Sequence, residues 1–304
     1  MIKIVRWAAG VVVGLGIVAA TRVQGQEKNP TLVGIVRSDG VILPFAKFDG
    51  RQWRSFPSPG ADSATHTPQT FDLPTQWSVH FANGARRRTV GGGSSVEFIT
   101  DSESSYDTWG QLTSLSPRAI GANEYLPRDR VGVAVSGDAF DVPVTTFVAR
   151  DDQSTFWTVN RRKIETAFRQ AADTLAPNVE VVRLRQLHIA RENVDGAQLF
   201  YVEAIGLRRS AGTQRDCAPA VYYQAWIRRP SGGSDLKVVD HAIEAGADCD
   251  SPDAQPAQHT PMGVIRLGGR RFVAVERTFY EGGNRQLFEL TQTSLTPAHT
   301  VKYE

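Results

Sequence analysis

Between Val179 and Thr293, apolar-rich runs follow one another at short intervals, each closed by a turn signal. The runs are Val179–Ala190, Ala197–Arg208, Ala220–Arg229, Leu236–Ala245, Met262–Leu267, Arg271–Tyr280 and Gln286–Gln292. Asp195-Gly196, Ser231–Ser234, Gly268-Gly269 and Gly282-Gly283 separate several of them. Short runs rich in Val, Ile, Phe and Tyr and bounded by Gly and Asp predict an antiparallel meander over about 179–293. In Leu199–Ile205, Phe200, Val202 and Ala204 share one parity, and Tyr201, Glu203 and Ile205 the other. A clean apolar face opposite a mixed one predicts a sheet with one side on the core and the other partly wet. In Val181–Ile189 the apolar parity switches between Leu184 and Leu187, which predicts a bulge near Arg185-Gln186.

Ahead of the meander the period changes. Trp157, Ile164, Phe168, Ala171 and Leu175 lie 7, 4, 3 and 4 residues apart, one stripe of a 3.6-residue repeat. The stripe predicts a helix over about Thr155–Leu175, capped by Ser154 or Thr155 and stopped by Pro177. Arg161, Arg162, Glu165 and Arg169 fall off the stripe and are expected to face water, with the meander as the sheet beneath.

The N-terminal third reads as hairpins. Asp39-Gly40 and Asp49-Gly50 join Thr31–Arg37, Val41–Phe48 and Arg51–Trp53. Pro44 cannot donate to a ladder, so the middle run is expected to be bulged or unpaired there. Pro57–Pro74, with four prolines and almost no apolar residue before Phe71, reads as a linker. Gln76–Phe81, the turn Asn83-Gly84, Ser95–Thr100, Val131–Val135 and Val142–Arg150 suggest a small β unit.

The predicted organisation is a signal peptide (1–25), an N-terminal hairpin segment (26–56), a linker (57–74), a small β unit (75–150) and a helix-plus-meander domain (151–304). The fold class is α+β and β-rich. Gly34–Gly40 echoes Gly263–Gly269, so an irregular β-propeller is the alternative. No such unit recurs between the two at a 40–50-residue period, which favours two hairpins with the same turn chemistry.

Composition places the chain among globular proteins: 41% of its 304 residues are hydrophobic and 22% charged. Met1–Gly25 has the layout of a secretory leader. Lys3 and Arg6 precede an uncharged 14-residue run, Trp7–Ala20, and Val23 and Gly25 supply small residues at −3 and −1 for cleavage before Gln26. A spanning helix needs about 20 apolar residues, so no stable membrane span is expected after cleavage. Removing Lys3, Arg6 and Arg22 from the 34 basic residues leaves 31 against 32 acidic ones, a balance of −1. Near-neutrality gives no bulk argument for nucleic acid as a partner. The chain is expected to be secreted or periplasmic.

Cys217 and Cys249 are the only cysteines. Their midpoint falls in the turn at 231–234, so pairing of Ala220–Arg229 with Leu236–Ala245 would set them nearly opposite, within disulfide reach. Export favours such a bond.

Chemistry is sparse. The mature chain holds no G-x-S-x-G elbow, phosphate loop, dinucleotide fingerprint or H-E-x-x-H pair, so no cofactor or metal is expected. His66, His80, His188, His241, His259 and His299 are scattered, although His188 and His241 lie on predicted strands and could meet across a sheet. Asp248, Asp250 and Asp253 cluster without the EF-hand glycine or final glutamate. Glu203, Glu276 and Glu289 sit within strands as acid–base candidates. Paired arginines at strand ends (Arg208-Arg209, Arg228-Arg229, Arg270-Arg271) are explained by solvation and edge protection. Tyr222, Tyr223 and Trp226 form the densest aromatic group and a candidate binding face. The expected function is a binding or structural role at the envelope or outside the cell. The alternative is a secreted hydrolase using a carboxylate pair.

Overall fold

The apolar runs become strands in the computed structural model. It describes residues 30–56, 69–82, 85–88, 95–98, 118–119, 132–136, 142–150, 155–173, 179–191, 196–208, 220–233, 235–245, 257–279 and 282–303. The N-terminal half supplies β1 (Thr31–Val36), β2 (Ile42–Phe48), β3 (Trp53–Ser55), β4 (Gln69–Asp72), β5 (Trp77–Phe81), β6 (Arg86–Arg88), β7 (Ser95–Phe98), β8 (Gly132–Ser136), β9 (Val144–Thr146) and β10 (Val148–Arg150). Helix α1 (Thr155–Asp173) follows. Then come β11 (Val179–Arg191), β12 (Gln198–Arg208), β13 (Ala220–Arg229), β14 (Lys237–Ala245), β15 (Gln258–Leu267), β16 (Arg270–Phe279), β17 (Gly282–Leu290) and β18 (Leu295–Tyr303).

These strands form three larger antiparallel sheets. The N-terminal sheet runs β3-β2-β1-β8-β5-β6, the helix-backed sheet β10-β11-β12-β13-β14, and the middle sheet β18-β17-β16-β15-β9, while β4 and β7 pair separately. Strand alternation shows how the three stack. Phe272 and Ala274 of β16 join Val33, Ile35, Leu43, Val133 and Val135 of the N-terminal sheet in one core cluster. Their neighbours Val273 and Val275 point the other way, to Leu199, Tyr201 and Trp226 of the helix-backed sheet. Phe200, Val202 and Ala204 then face outward onto Ile164 and Phe168 of α1. The layers are therefore helix, sheet, sheet, sheet.

The antiparallel meander and its packed helix are present, with two differences. First, the meander is divided: β11–β14 lie in one sheet and β15–β18 in another, stacked upon it. The middle sheet is buried on both faces, which is why Phe272–Val275 is an unbroken apolar run rather than an alternating one. Second, the mixed face of β12 is not wet. Tyr201 is 0% and Glu203 4% exposed, because the middle sheet covers them. The propeller alternative is replaced by layers. The echo between Gly34–Gly40 and Gly263–Gly269 reduces to two hairpins whose turn glycines, Gly40, Gly268 and Gly269, all have positive φ.

Bulges fall where the sequence asks for them. The β11–β12 register shifts between Leu184 and Gln186, and again between Val181 and Arg183. In β2, Pro44 faces Gly34 and Ala46 faces Val33, so Phe45 is the extra residue beside the proline. Hydrogen bonding also joins strands far apart in the chain. Strands β5, β6 and β8 share a sheet with β1–β3, while β9 and β10 join the other two sheets.

Candidate functional site

The facing surfaces of the helix-backed and middle sheets divide into two halves. Leu199, Trp226, Val264, Val273, Leu290 and Leu295 make one half apolar. In the other half the same strands carry polar side chains, because β12 continues Leu199–Tyr201–Glu203 and β13 places Gln224 on the parity of Trp226. Register pairing sets Glu203 against Gln224 in one sheet. In the other, Arg277 lies between His259 and Asn284.

These groups meet across the gap. The Tyr201 hydroxyl donates to Glu203 Oε1 at 2.8 Å and lies 3.0 Å from His259 Nδ1. A phenol has one proton to give, so with its O–H directed at the carboxylate, His259 Nδ1–H donates to the phenol oxygen. That tautomer is a neutral imidazole. Burial, helped by the nearby Arg277 guanidinium, pushes the His259 pKa down to about 4. Gln224 Nε2 donates to the Ala257 carbonyl at 3.2 Å, and Arg277 Nη2 pairs with Glu244 Oε1 at 3.0 Å. Gln224 Oε1 and Asn284 Oδ1 are buried without a partner among the described residues. The carboxylate–phenol–imidazole chain can relay a proton, but its carboxylate and phenol are closed to solvent and only the imidazole is half-buried.

The predicted site residues distribute differently. Tyr222, Tyr223 and Trp226 do not form one aromatic face. Tyr223 turns to the helix, its ring 5.0 Å from Phe168 and T-shaped to it, and burial raises its hydroxyl to about 12. Trp226 turns to the middle sheet, 4.8 Å from the Tyr201 ring, with Tyr222 half-buried on that same side. Alternation along a strand separates adjacent residues in this way.

Glu203, Glu276 and Glu289 do not converge either. Glu289 is held by Arg270 at 2.6 Å, which lowers its pKa, and Glu276 lies 3.6 Å from Arg285. Both sit on the parity of Phe272, the face of the middle sheet turned away from Glu203. His188 and His241 are not neighbours, since β12 and β13 lie between their strands. Among the arginines assigned to solvation, Arg228 is buried and Arg270 grips Glu289 through two nitrogens. Cys217, Cys249, His66 and the aspartates 248, 250 and 253 lie outside the described residues.

Sequence reading missed Tyr201, Gln224, His259 and Arg277 as a group. The available signal was a polar residue at mid-strand on one parity of two adjacent strands, Glu203 and Gln224. Its meaning depends on the second sheet, which no single strand's alternation records. Among the described residues no cluster of three His, Cys, Asp or Glu could hold a metal ion, and no helix is long and apolar enough to cross a membrane. Comparison with protein-family models, curated proteins and solved structures gives no match.

Proposed function

We propose that the protein is an exported β scaffold with a binding or structural role at the cell envelope or outside the cell. The observation that carries this reading is the inward orientation of its titratable cluster. The Tyr201 hydroxyl bonds Glu203 Oε1 and His259 Nδ1 between two sheets, as groups that fix sheet register do. A hydrolase instead needs its acid and base within hydrogen-bond reach of a substrate. A carboxylate only 4% exposed weighs against the secreted-hydrolase alternative.

Export rests on the leader-like segment and on the cysteines. Val221 pairs with Ala245 in the β13–β14 hairpin, and Cys217 and Cys249 each lie four residues further out along the chain. In an oxidising compartment they form a disulfide, worth about 3–4 kcal/mol for a loop of this length.

Two measurements test the reading. Intact-mass analysis of protein recovered outside the cytosol is expected to start at Gln26, and recovery with Met1 in the cytosol would overturn export. Reduction of that material is expected to lower its melting temperature by several degrees and to add two alkylatable thiols. Unchanged melting, or two thiols free before reduction, would remove the disulfide. A substrate turned over by the wild type and not by Glu203→Gln would replace the scaffold reading with the hydrolase one.

A further inference from the structure

We propose that the outward face of α1 docks the protein on an anionic phospholipid surface; the choice of a membrane rests on the envelope location proposed above. The helix is the outermost layer of the stack, with Ile164 and Phe168 turned to the sheet. On its opposite side Val159, Arg162, Lys163, Thr166, Arg169 and Gln170 are exposed. Their spacing of three, four and seven residues sets them on one strip, which from 159 to 169 is about 15 Å long.

Three features separate this strip from an ordinary solvated face. First, Arg162, Lys163 and Arg169 have no side-chain ion partner among the described residues, whereas Arg161 beside them is paired with Glu165 at 2.8 Å. Second, the helix dipole does not account for the cations. Arg161, Arg162 and Lys163 fall in the first half of the helix, its first turn has no acidic residue, and its last turn has no basic one. Cations stabilise a helix at its C-terminal end and not near its start, so helix stability does not explain the placement. An opposing anionic surface does. Third, Val159 is 71% exposed one turn before Arg162 and Lys163, the more exposed of the two large hydrophobics that stand out on the described surface. A single apolar side chain beside two cations suits a headgroup layer, where the charges meet phosphates and the isopropyl group enters the acyl boundary.

The probe is the purified Gln26–Glu304 chain sedimented with phosphatidylglycerol-containing vesicles and with neutral phosphatidylcholine vesicles at low and high salt. Binding is expected on the anionic vesicles alone and to weaken as salt rises. The triple variant Arg162→Glu, Lys163→Glu, Arg169→Glu is expected to bind at least tenfold more weakly at an unchanged melting temperature. The charge swap Arg161→Glu with Glu165→Arg, which keeps the net charge, is expected to bind as the wild type. Equal binding to neutral vesicles, no binding at low salt, or a triple variant that binds undiminished would each overturn the proposal. Preferential retention on duplex DNA, with none on vesicles, would overturn it too. Absence of vesicle binding by a chain shown to be exported removes this inference and leaves the scaffold reading intact. Vesicle binding by a chain found in the cytosol with Met1 removes the location proposed above and leaves the docking face standing.

Discussion

Gly132→Ala is expected to leave little folded protein. Gly132 opens β8, the strand flanked by β1 and β5 near the centre of the N-terminal sheet, and it is paired with Val36 on one side and Phe81 on the other. A Cβ at this position would lie 2.2 Å from the His80 carbonyl oxygen and 3.0 Å from the Phe81 Cα. Both contacts are backbone, so relief requires β5 to move away from β8 and the ladder between them to open. All five residues of β8 are buried, so the displaced strand has no empty space to enter. A cost of about 4 kcal/mol or more is expected, a large share of a typical domain's total of 5–15 kcal/mol. Gly50 supplies the contrast. Its φ is +95°, but an added Cβ would meet nothing within 4 Å. Gly50→Ala is thus expected to cost only about 1–2 kcal/mol, for the left-handed backbone alone. Urea unfolding of the two variants checks the difference, and Gly132→Ala melting within a few degrees of wild type would contradict the packing of β8 against β5.

Single strands and their irregularities were legible in the chain because they depend on local period and turn chemistry. The bulge at Arg185 follows from the parity switch between Leu184 and Leu187, and the bulge beside Pro44 from a missing donor. Strand β18 was not legible. Its inward residues Leu295, Ala298 and Val301 are interrupted by Pro297, which is tolerated because β18 is an edge strand and its register shifts there. The early start of β15 was hidden in the same way, since Pro261 lies at another register shift.

Stacking was the larger omission. Whether a mixed face such as Tyr201–Glu203 meets water or another sheet depends on residues more than fifty positions away. His259, which completes the hydrogen-bonded chain, sits on a different sheet. The candidate site was legible only as a polar position, Glu203, with no account of its partners.

Acid is expected to begin destabilising the protein above the range in which most of its carboxylates titrate, and buried histidines are the cause. Burial pushes the pKa of both His80 and His259 to about 4, from an ordinary 6.5, with Arg86 and Arg277 respectively adding to the shift. His80 is 2% exposed and its Nε2 has no hydrogen-bond partner among the described residues, so the fold offers an imidazolium there nothing in return. Above pH 6.5 each histidine is neutral whether the chain is folded or unfolded, and stability does not depend on it. Between 6.5 and 4 the unfolded chain binds protons that the folded chain refuses, so stability falls as pH falls. Below 4 both states are charged and the loss is complete. Allowing for the half-buried setting of His259, the pair accounts for about 4 kcal/mol across that window. The double variant His80→Gln, His259→Gln is expected to show a shallower fall in urea midpoint from pH 6.5 to 4.5. The slope is the readout, because the variant's stability at neutral pH will also change. An unaltered slope would mean that the imidazoles reach solvent and that the sheets do not enclose them.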